Sequence, residues 1–71
     1  MAKTINITTD FITLGQLLKY INIVSDGGAV KWYLANNNII VDGEVEKRRG
    51  RKLYYGSKII IKDKIYIIGK N

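Results

Sequence analysis

The hydrophobic pattern of the chain changes from a helical to a strand period at Asn38, and this change limits the folds that are open to it. Upstream of that point, four apolar residues recur at the i, i+3, i+4, i+7 spacing of an amphipathic helix: Leu14, Leu17, Leu18 and Ile21. Downstream, apolar and polar residues alternate in short runs, which is typical of half-buried strands. The two periods together predict an α+β fold, with two short packed helices followed by a small antiparallel sheet.

Both predicted helices have a recognisable start. Thr13 and Gln16 have the spacing of a capping box, which predicts a first helix over about residues 13–22. Asp26 opens a second helical pattern that ends at the polar residues 36–38. Three residues share the apolar face of this second helix: Val30, Tyr33 and Leu34.

Strand signals lie on both sides of the helices. Residues 4–8 alternate with β-branched side chains throughout, which predicts a short edge strand. Asp42-Gly43 lies between two apolar runs and predicts a tight hairpin turn. A last pair of strands is predicted at residues 58–62 and 65–68, folding back on each other.

The length of the chain, 71 residues, leaves room for one small core, so we expect a single domain over residues 1–71. Cysteine and histidine are both absent from the sequence, which excludes disulfides and the common zinc sites, and we expect no metal and no cofactor. The lack of cysteine and of a signal-peptide pattern favours a cytoplasmic protein. Every apolar run is far shorter than the roughly 20 residues that span a bilayer.

Positive charge is concentrated in the last third of the chain. Residues 47–71 contain nine Lys or Arg and one Asp, whereas residues 1–46 contain three Lys and five Asp or Glu. Such asymmetry indicates a polyanionic partner, either a nucleic acid or an anionic membrane surface. Because the sequence offers no basic amphipathic helix beside the cluster, we expect no membrane binding.

The strongest candidate site is a run of five basic residues around Gly50: Lys47, Arg48, Arg49, Arg51 and Lys52. The guanidinium fork of arginine matches two phosphate oxygens at once, so the run could form a phosphate clamp. A loop that is merely kept soluble by charge is the alternative. Five like charges this close repel one another unless a counter-anion is present, which favours a bound polyanion.

A second candidate contact lies at the start of the second helix. Gly27 and Gly28 follow Asp26, and their N–H groups could approach a phosphate closely, with Lys31 one turn further on. Alternatively, Asp26 caps its own helix and the glycines only permit close packing, because its carboxylate would repel phosphate. The sequence does not separate these two interpretations.

Four aromatic residues lie beside these candidates. Tyr33 falls on the apolar face of the second helix and is expected in the core, whereas Trp32 lies at the edge of that face. Half-buried packing is the favoured interpretation of Trp32, and stacking on an unpaired base is the alternative. Alternation along a strand should direct only one of Tyr54 and Tyr55 outward, and Tyr54 is the second candidate for stacking.

Catalysis finds little support in the sequence. The six carboxylates are scattered, and no nucleophile system or phosphate-cradling motif is present, so we expect no enzymatic activity.

The predicted order of elements is helix, helix and hairpin, with Val41-Asp42-Gly43 in the turn and Gly56 before Lys58. This order resembles the S4 RNA-binding domain, with its alpha-L motif. The resemblance covers about residues 13–61 and is strongest to the small free-standing S4 proteins of the YaaA type. Three segments carry it: Thr13-Leu14-Gly15-Gln16-Leu17-Leu18-Lys19, Gly27-Gly28 followed by Lys31-Trp32-Tyr33-Leu34, and Arg48-Arg49-Gly50-Arg51-Lys52-Leu53-Tyr54.

Three positions differ from the usual S4 pattern. Asp26-Gly27 stands where the family usually has Ser-Arg, Asp42 stands where it has Asn, and Ser57 stands where it has Asp. The missing arginine removes one RNA contact of the family, which Gly27-Gly28 and Lys31 could replace. The resemblance implies structured RNA as the ligand, bound through the second helix and the basic hairpin.

Together these observations predict a monomeric, non-catalytic protein that docks on structured RNA. Ribosomal RNA is the expected target and the ribosome a further partner. The alternative is a protein adaptor, in which the basic face binds an acidic protein on the ribosome or on a nucleic-acid enzyme and Trp32 supplies an aromatic anchor.

Overall fold

The computed structural model describes residues 2–70 and contains two helices and seven strands within that range. In chain order these are β1 (Ala2–Ile7), β2 (Phe11–Thr13), α1 (Leu14–Tyr20), α2 (Gly27–Asn36), β3 (Ile39–Val41), β4 (Glu44–Glu46), β5 (Lys52–Tyr54), β6 (Lys58–Ile61) and β7 (Lys64–Lys70). The α+β class predicted from the sequence is confirmed.

The expected order of elements, helices first and sheet afterwards, is wrong. Two strands precede the helices: β1 forms one edge of a five-stranded sheet in the order β1-β7-β6-β3-β4, and β2 pairs with β5 in a separate ribbon. The larger sheet is mixed, because β1 runs parallel to β7 while its other pairs are antiparallel. Ile5 and Ile7 explain why β1 joins the sheet, since this pairing buries both side chains in the core.

Both helices begin where the sequence predicts. The Thr13 side chain accepts a hydrogen bond from the Gln16 N–H, and the Gln16 side chain accepts one from the Thr13 N–H, which completes the predicted capping box. Asp26 caps α2 by accepting a hydrogen bond from the Ala29 N–H at 2.8 Å. The predicted apolar faces of both helices are buried, with Ile21 only half-buried, and the helices contact each other. Within residues 2–70, neither helix is long and apolar enough to cross a membrane.

The predicted hairpins are present. Asp42 and Gly43 have φ values of 51° and 90° and connect β3 to β4, so both adopt the left-handed conformation that a tight type I′ turn requires. The last two strands, β6 and β7, pair antiparallel as expected. Ile39 and Val41 are fully buried in the same core cluster as the apolar faces of the helices, and the sheet thus supplies one wall of the core.

Candidate nucleic-acid interface

The five clustered basic residues lie in the connection between β4 and β5 and at Lys52, the first residue of β5. This segment, residues 47–52, is called the basic loop below. Its backbone is fixed by the start of α1. The Leu14 N–H donates to the Arg51 carbonyl at 2.8 Å, and the Gly15 N–H donates to the Arg49 carbonyl at 2.9 Å. The basic loop therefore accepts hydrogen bonds from N–H groups that a helix start would otherwise leave unpaired.

Gly15 permits this close approach. A Cβ atom at that position would lie 3.4 Å from the Arg49 carbonyl oxygen and 3.4 Å from Cγ1 of Val30. The basic loop, α1 and α2 thus meet at a residue without a side chain. Nothing in the local sequence around Gly15 indicates this long-range contact.

Glu46, the last residue of β4, lies at the centre of the charge network. Its carboxylate accepts hydrogen bonds from Nε and Nη2 of Arg48, both at 3.1 Å, and from Nη1 of Arg51 at 2.8 Å. It also accepts hydrogen bonds from the backbone N–H groups of Lys47 and Arg48, both at 3.1 Å. Only 6% of Glu46 is exposed.

These contacts stabilise the ionised form of the carboxyl group. The side-chain hydrogen bond from Arg48 is the main reason why the pKa of Glu46 falls from 4.5 to about 2, although burial acts in the opposite direction. The same pairing raises the pKa of Arg48. At neutral pH, Glu46 is therefore an internal counter-anion for two of the three arginines.

The expectation that the clustered cations need an external counter-anion is therefore wrong for Arg48 and Arg51, which have carboxylate partners within the chain. Among residues 2–70, no ion pair is described for the other three basic residues of the loop. The guanidinium fork of Arg48 is already bidentate on Glu46, and Arg51 lies between Glu46 and Asp42, with only 29% of its side chain exposed. Arg48 still keeps 77% of its side chain exposed, so its outer side remains open to a ligand. The sequence does not reveal this pairing, because Glu46 is the last residue of the acidic part of the chain and its partners belong to the basic part.

Arg49 connects the basic loop to the start of α2. Its Nη1 donates a hydrogen bond to the Gly27 carbonyl at 3.3 Å, while the rest of the residue is exposed. Lys31 follows Gly27 by four residues and therefore lies on the same side of the helix, about 6 Å further along its axis. The structure thus brings Arg49 and Gly27 into contact, and helical spacing puts Lys31 on the same side of α2.

Lys47 reaches the other end of α2. Its Nζ donates to the carbonyl of Asn37, the C-cap residue, at 2.9 Å. Because Arg49 contacts the start of the helix, the basic loop runs along α2, a helix of 10 residues and therefore about 15 Å long. The basic loop thus contacts α2 at both of its ends.

A recess of about 250 Å³ lies between the starts of the helices and the basic loop. Its lining includes Arg49, Gly27 and Lys19, an exposed residue of α1 that the sequence hypothesis did not include. Helical periodicity puts Lys19 on the polar side of α1, but it does not reveal that this side faces the basic loop. Lys19 is therefore an additional candidate contact.

The aromatic residues differ in part from expectation. Tyr33 is buried as predicted, but Trp32 is 66% exposed, so its expected half-buried packing is wrong. Tyr54 and Tyr55 are both exposed, at 51% and 71%. The prediction that only one of them points outward fails because β5 ends at Tyr54, and alternation no longer applies to Tyr55 in the following turn.

The fold and the site define a class of small α+β proteins in which a basic loop is fixed across the starts of two helices. The family model described as S4 domain matches residues 5–69, and the chain belongs to the S4 domain family. The chain is also 46% identical, over 61 residues that cover 86% of each sequence, to a Bacillus subtilis (strain 168) protein described as probable ribosome maturation protein RlbA. These findings confirm the resemblance inferred from the sequence motifs.

Proposed function

We propose that this protein binds structured RNA, with ribosomal RNA as its target, and catalyses no reaction of its own. Membership of the S4 domain family supports RNA as the ligand. The description of the B. subtilis relative as a probable ribosome maturation protein supports a ribosomal target. Within the proposal, the protein acts by docking on folded RNA during or after assembly of the ribosome.

The observation that carries the proposal is the contact between Arg49 and Gly27. It joins the cations of the basic loop and the start of α2 into one surface, so that an RNA backbone can contact both at once. The proposed contacts are Gly27, Gly28, Lys31, Lys47, Arg48, Arg49, Arg51 and Lys52, with Lys19 added from the structure. Phosphate and sugar contacts of this kind fix the position of the protein, whereas the shape of the folded RNA provides discrimination.

The residues divide into two roles within this proposal. Arg48 and Arg51 hold the basic loop against Glu46, so they act mainly on its shape. In the basic loop and α2, four cations face the RNA without a carboxylate partner among the described ion pairs: Lys31, Lys47, Arg49 and Lys52. Four phosphate contacts predict that log affinity falls against log salt with a slope of about −3.

The test is RNA binding measured by fluorescence anisotropy over a range of salt concentrations, using a labelled ribosomal stem-loop. The double variant Lys31→Gln with Arg49→Gln removes two charges from the proposed surface without disturbing Glu46. We expect weaker binding by about tenfold or more and a salt slope that is reduced in magnitude by about 1.5.

The matched control is Lys3→Gln with Lys64→Gln, which removes the same charge elsewhere. Lys3 lies on β1, at the opposite edge of the sheet from β4, and with Lys64 it adjoins the C-terminal end of α1. We expect the control to change affinity and slope much less. Equal losses in the two double variants would show that binding follows net charge alone, and would refute the proposed surface.

The second candidate function is that of a protein adaptor, in which the basic face binds an acidic protein. One observation supports it, the exposure of Trp32. Trp32 is 66% exposed and lines a recess of about 360 Å³ together with Ile23 and Val24. An exposed tryptophan next to an apolar recess is a typical anchor for a protein partner. Under this alternative, association with ribosomes would survive RNase treatment and would be lost in Trp32→Ala, whereas RNA binding predicts the reverse.

A further inference from the structure

The β2–β5 ribbon has one face on the core and one on the surface. Phe11 pairs with Tyr54, Ile12 with Leu53 and Thr13 with Lys52. Leu53 is fully buried and Ile12 packs against the core. Because side chains alternate along a strand, the other face carries Phe11, Thr13, Lys52 and Tyr54, and this set is called the ribbon face below.

Two aromatic rings and one ammonium group are in contact on the ribbon face. The ring centroids of Phe11 and Tyr54 are 5.8 Å apart with an interplanar angle of 54°. The Nζ of Lys52 lies 4.9 Å from the centroid of the Phe11 ring, a cation–π distance. Phe11 is half-buried and contacts both Tyr54 and Lys52, whereas Tyr54 is 51% exposed and leaves much of its ring open.

The open ring of Tyr54 adjoins the basic loop. Tyr54 and Lys52 line a recess of about 450 Å³ together with Arg48, Gly50 and Arg51. An aromatic ring beside several cations is the combination that binds unpaired nucleotides, because the base stacks on the ring while the phosphate meets the positive charge. An apolar protein segment would gain less here, since it would have to cover those charges.

We propose that the ribbon face binds one unpaired nucleotide next to the folded RNA that the basic loop holds. The base stacks on Tyr54, Phe11 holds the Tyr54 ring in place, and Lys52 contacts the phosphate of the same nucleotide. This inference rests on the proposed function and adds the kind of RNA that the site prefers: a helix with an unpaired residue at its end or in a bulge, rather than a blunt duplex.

The experiment compares two RNAs with the same stem, one blunt and one with a short unpaired extension that carries 2-aminopurine. The unmodified protein should bind the extended RNA about tenfold more tightly, and the 2-aminopurine fluorescence should be quenched by stacking. Tyr54→Ala should remove both the gain and the quenching, while its affinity for the blunt stem and its salt slope stay unchanged. Tyr54→Phe should retain the gain, because the ring is preserved.

Tyr55→Ala is the matched control, since Tyr55 is the neighbouring exposed tyrosine but lies beyond the end of β5. We expect it to keep both the gain and the quenching. If the unmodified protein binds the two RNAs with equal affinity, the inference is overturned and the proposed function stays intact. The same holds if Tyr54→Ala lowers the affinity for both RNAs equally. Failure of the unmodified protein to bind either RNA would contradict the proposed function and the inference together.

Discussion

Replacing Glu46 by glutamine tests the internal counter-anion of the basic loop. The substitution keeps the shape of the side chain but removes the charge that Arg48 and Arg51 share. A carboxyl group whose pKa falls from 4.5 to about 2 contributes at most about 3 kcal/mol to the free energy of unfolding at neutral pH. Because Arg48 is 77% exposed and solvent screens its part of the network, we expect Glu46→Gln to cost about 2 kcal/mol.

The pH dependence of this loss has a definite sign. The pKa of Glu46 is lower in the folded chain, so its contribution is complete above the ordinary value of 4.5 and is lost as the pH falls toward about 2. The difference in stability between the unmodified protein and Glu46→Gln should therefore be constant from neutral pH down to about pH 5. At about pH 3 it should fall to less than half of its neutral value.

Urea denaturation at neutral pH and at about pH 3 measures the loss of stability in Glu46→Gln and its dependence on pH. In a melting curve at neutral pH, the midpoint of Glu46→Gln should be lower than that of the unmodified protein by roughly 8–16 °C. Glu44→Gln is the matched control, because Glu44 lies on the same strand but is exposed, and its stability change should stay within about 0.5 kcal/mol. A loss for Glu46→Gln that is the same at both pH values would refute the role assigned to its charge.

Three further predictions concern the backbone and the exposed tryptophan. Gly43→Ala should lower the free energy of unfolding by about 1 kcal/mol in urea denaturation, because φ is 90° at this turn position. Gly15→Val should lower the free energy of unfolding by about 1–3 kcal/mol in the same assay and should also weaken RNA binding, because the valine side chain would displace the Arg49 carbonyl. A stable variant with normal RNA binding would contradict this prediction. The fluorescence of Trp32 should be readily quenched by acrylamide and should change little on addition of RNA, since Trp32 is exposed and lies off the Gly27 side of α2. Strong protection of Trp32 by RNA would contradict the proposed orientation.

Local signals were sufficient to predict most of the elements. The capping box at Thr13, the cap at Asp26 and the Asp42-Gly43 turn each depend on residues a few positions apart, and all three are present. Pairings between distant segments were not predictable in the same way. The alternation of residues 4–8 indicates a strand, but it does not reveal that β1 lies parallel to β7 at the far end of the chain.

In the candidate site too, local patterns were predictable from the sequence but contacts between distant segments were not. The charge run located the basic loop, and the glycines after Asp26 located the helix start that Arg49 contacts. The sequence could not show that Glu46 turns inward to two arginines, because alternation in a three-residue strand does not determine which face the last residue occupies. Nor did it indicate Phe11, whose partner Tyr54 lies more than 40 residues further along the chain.

The central claim is that the basic loop and the start of α2 form one RNA-binding surface. Its most direct test is the change in backbone amide NMR signals when a ribosomal stem-loop is added. Glycine amides are suitable reporters: Gly27 and Gly50 belong to the proposed surface, and Gly69 lies on β7 opposite Asn6 of β1. We expect Gly27 and Gly50 to shift together along one titration curve while Gly69 stays in place. A larger shift at Gly69, or separate titration curves for Gly27 and Gly50, would contradict the claim.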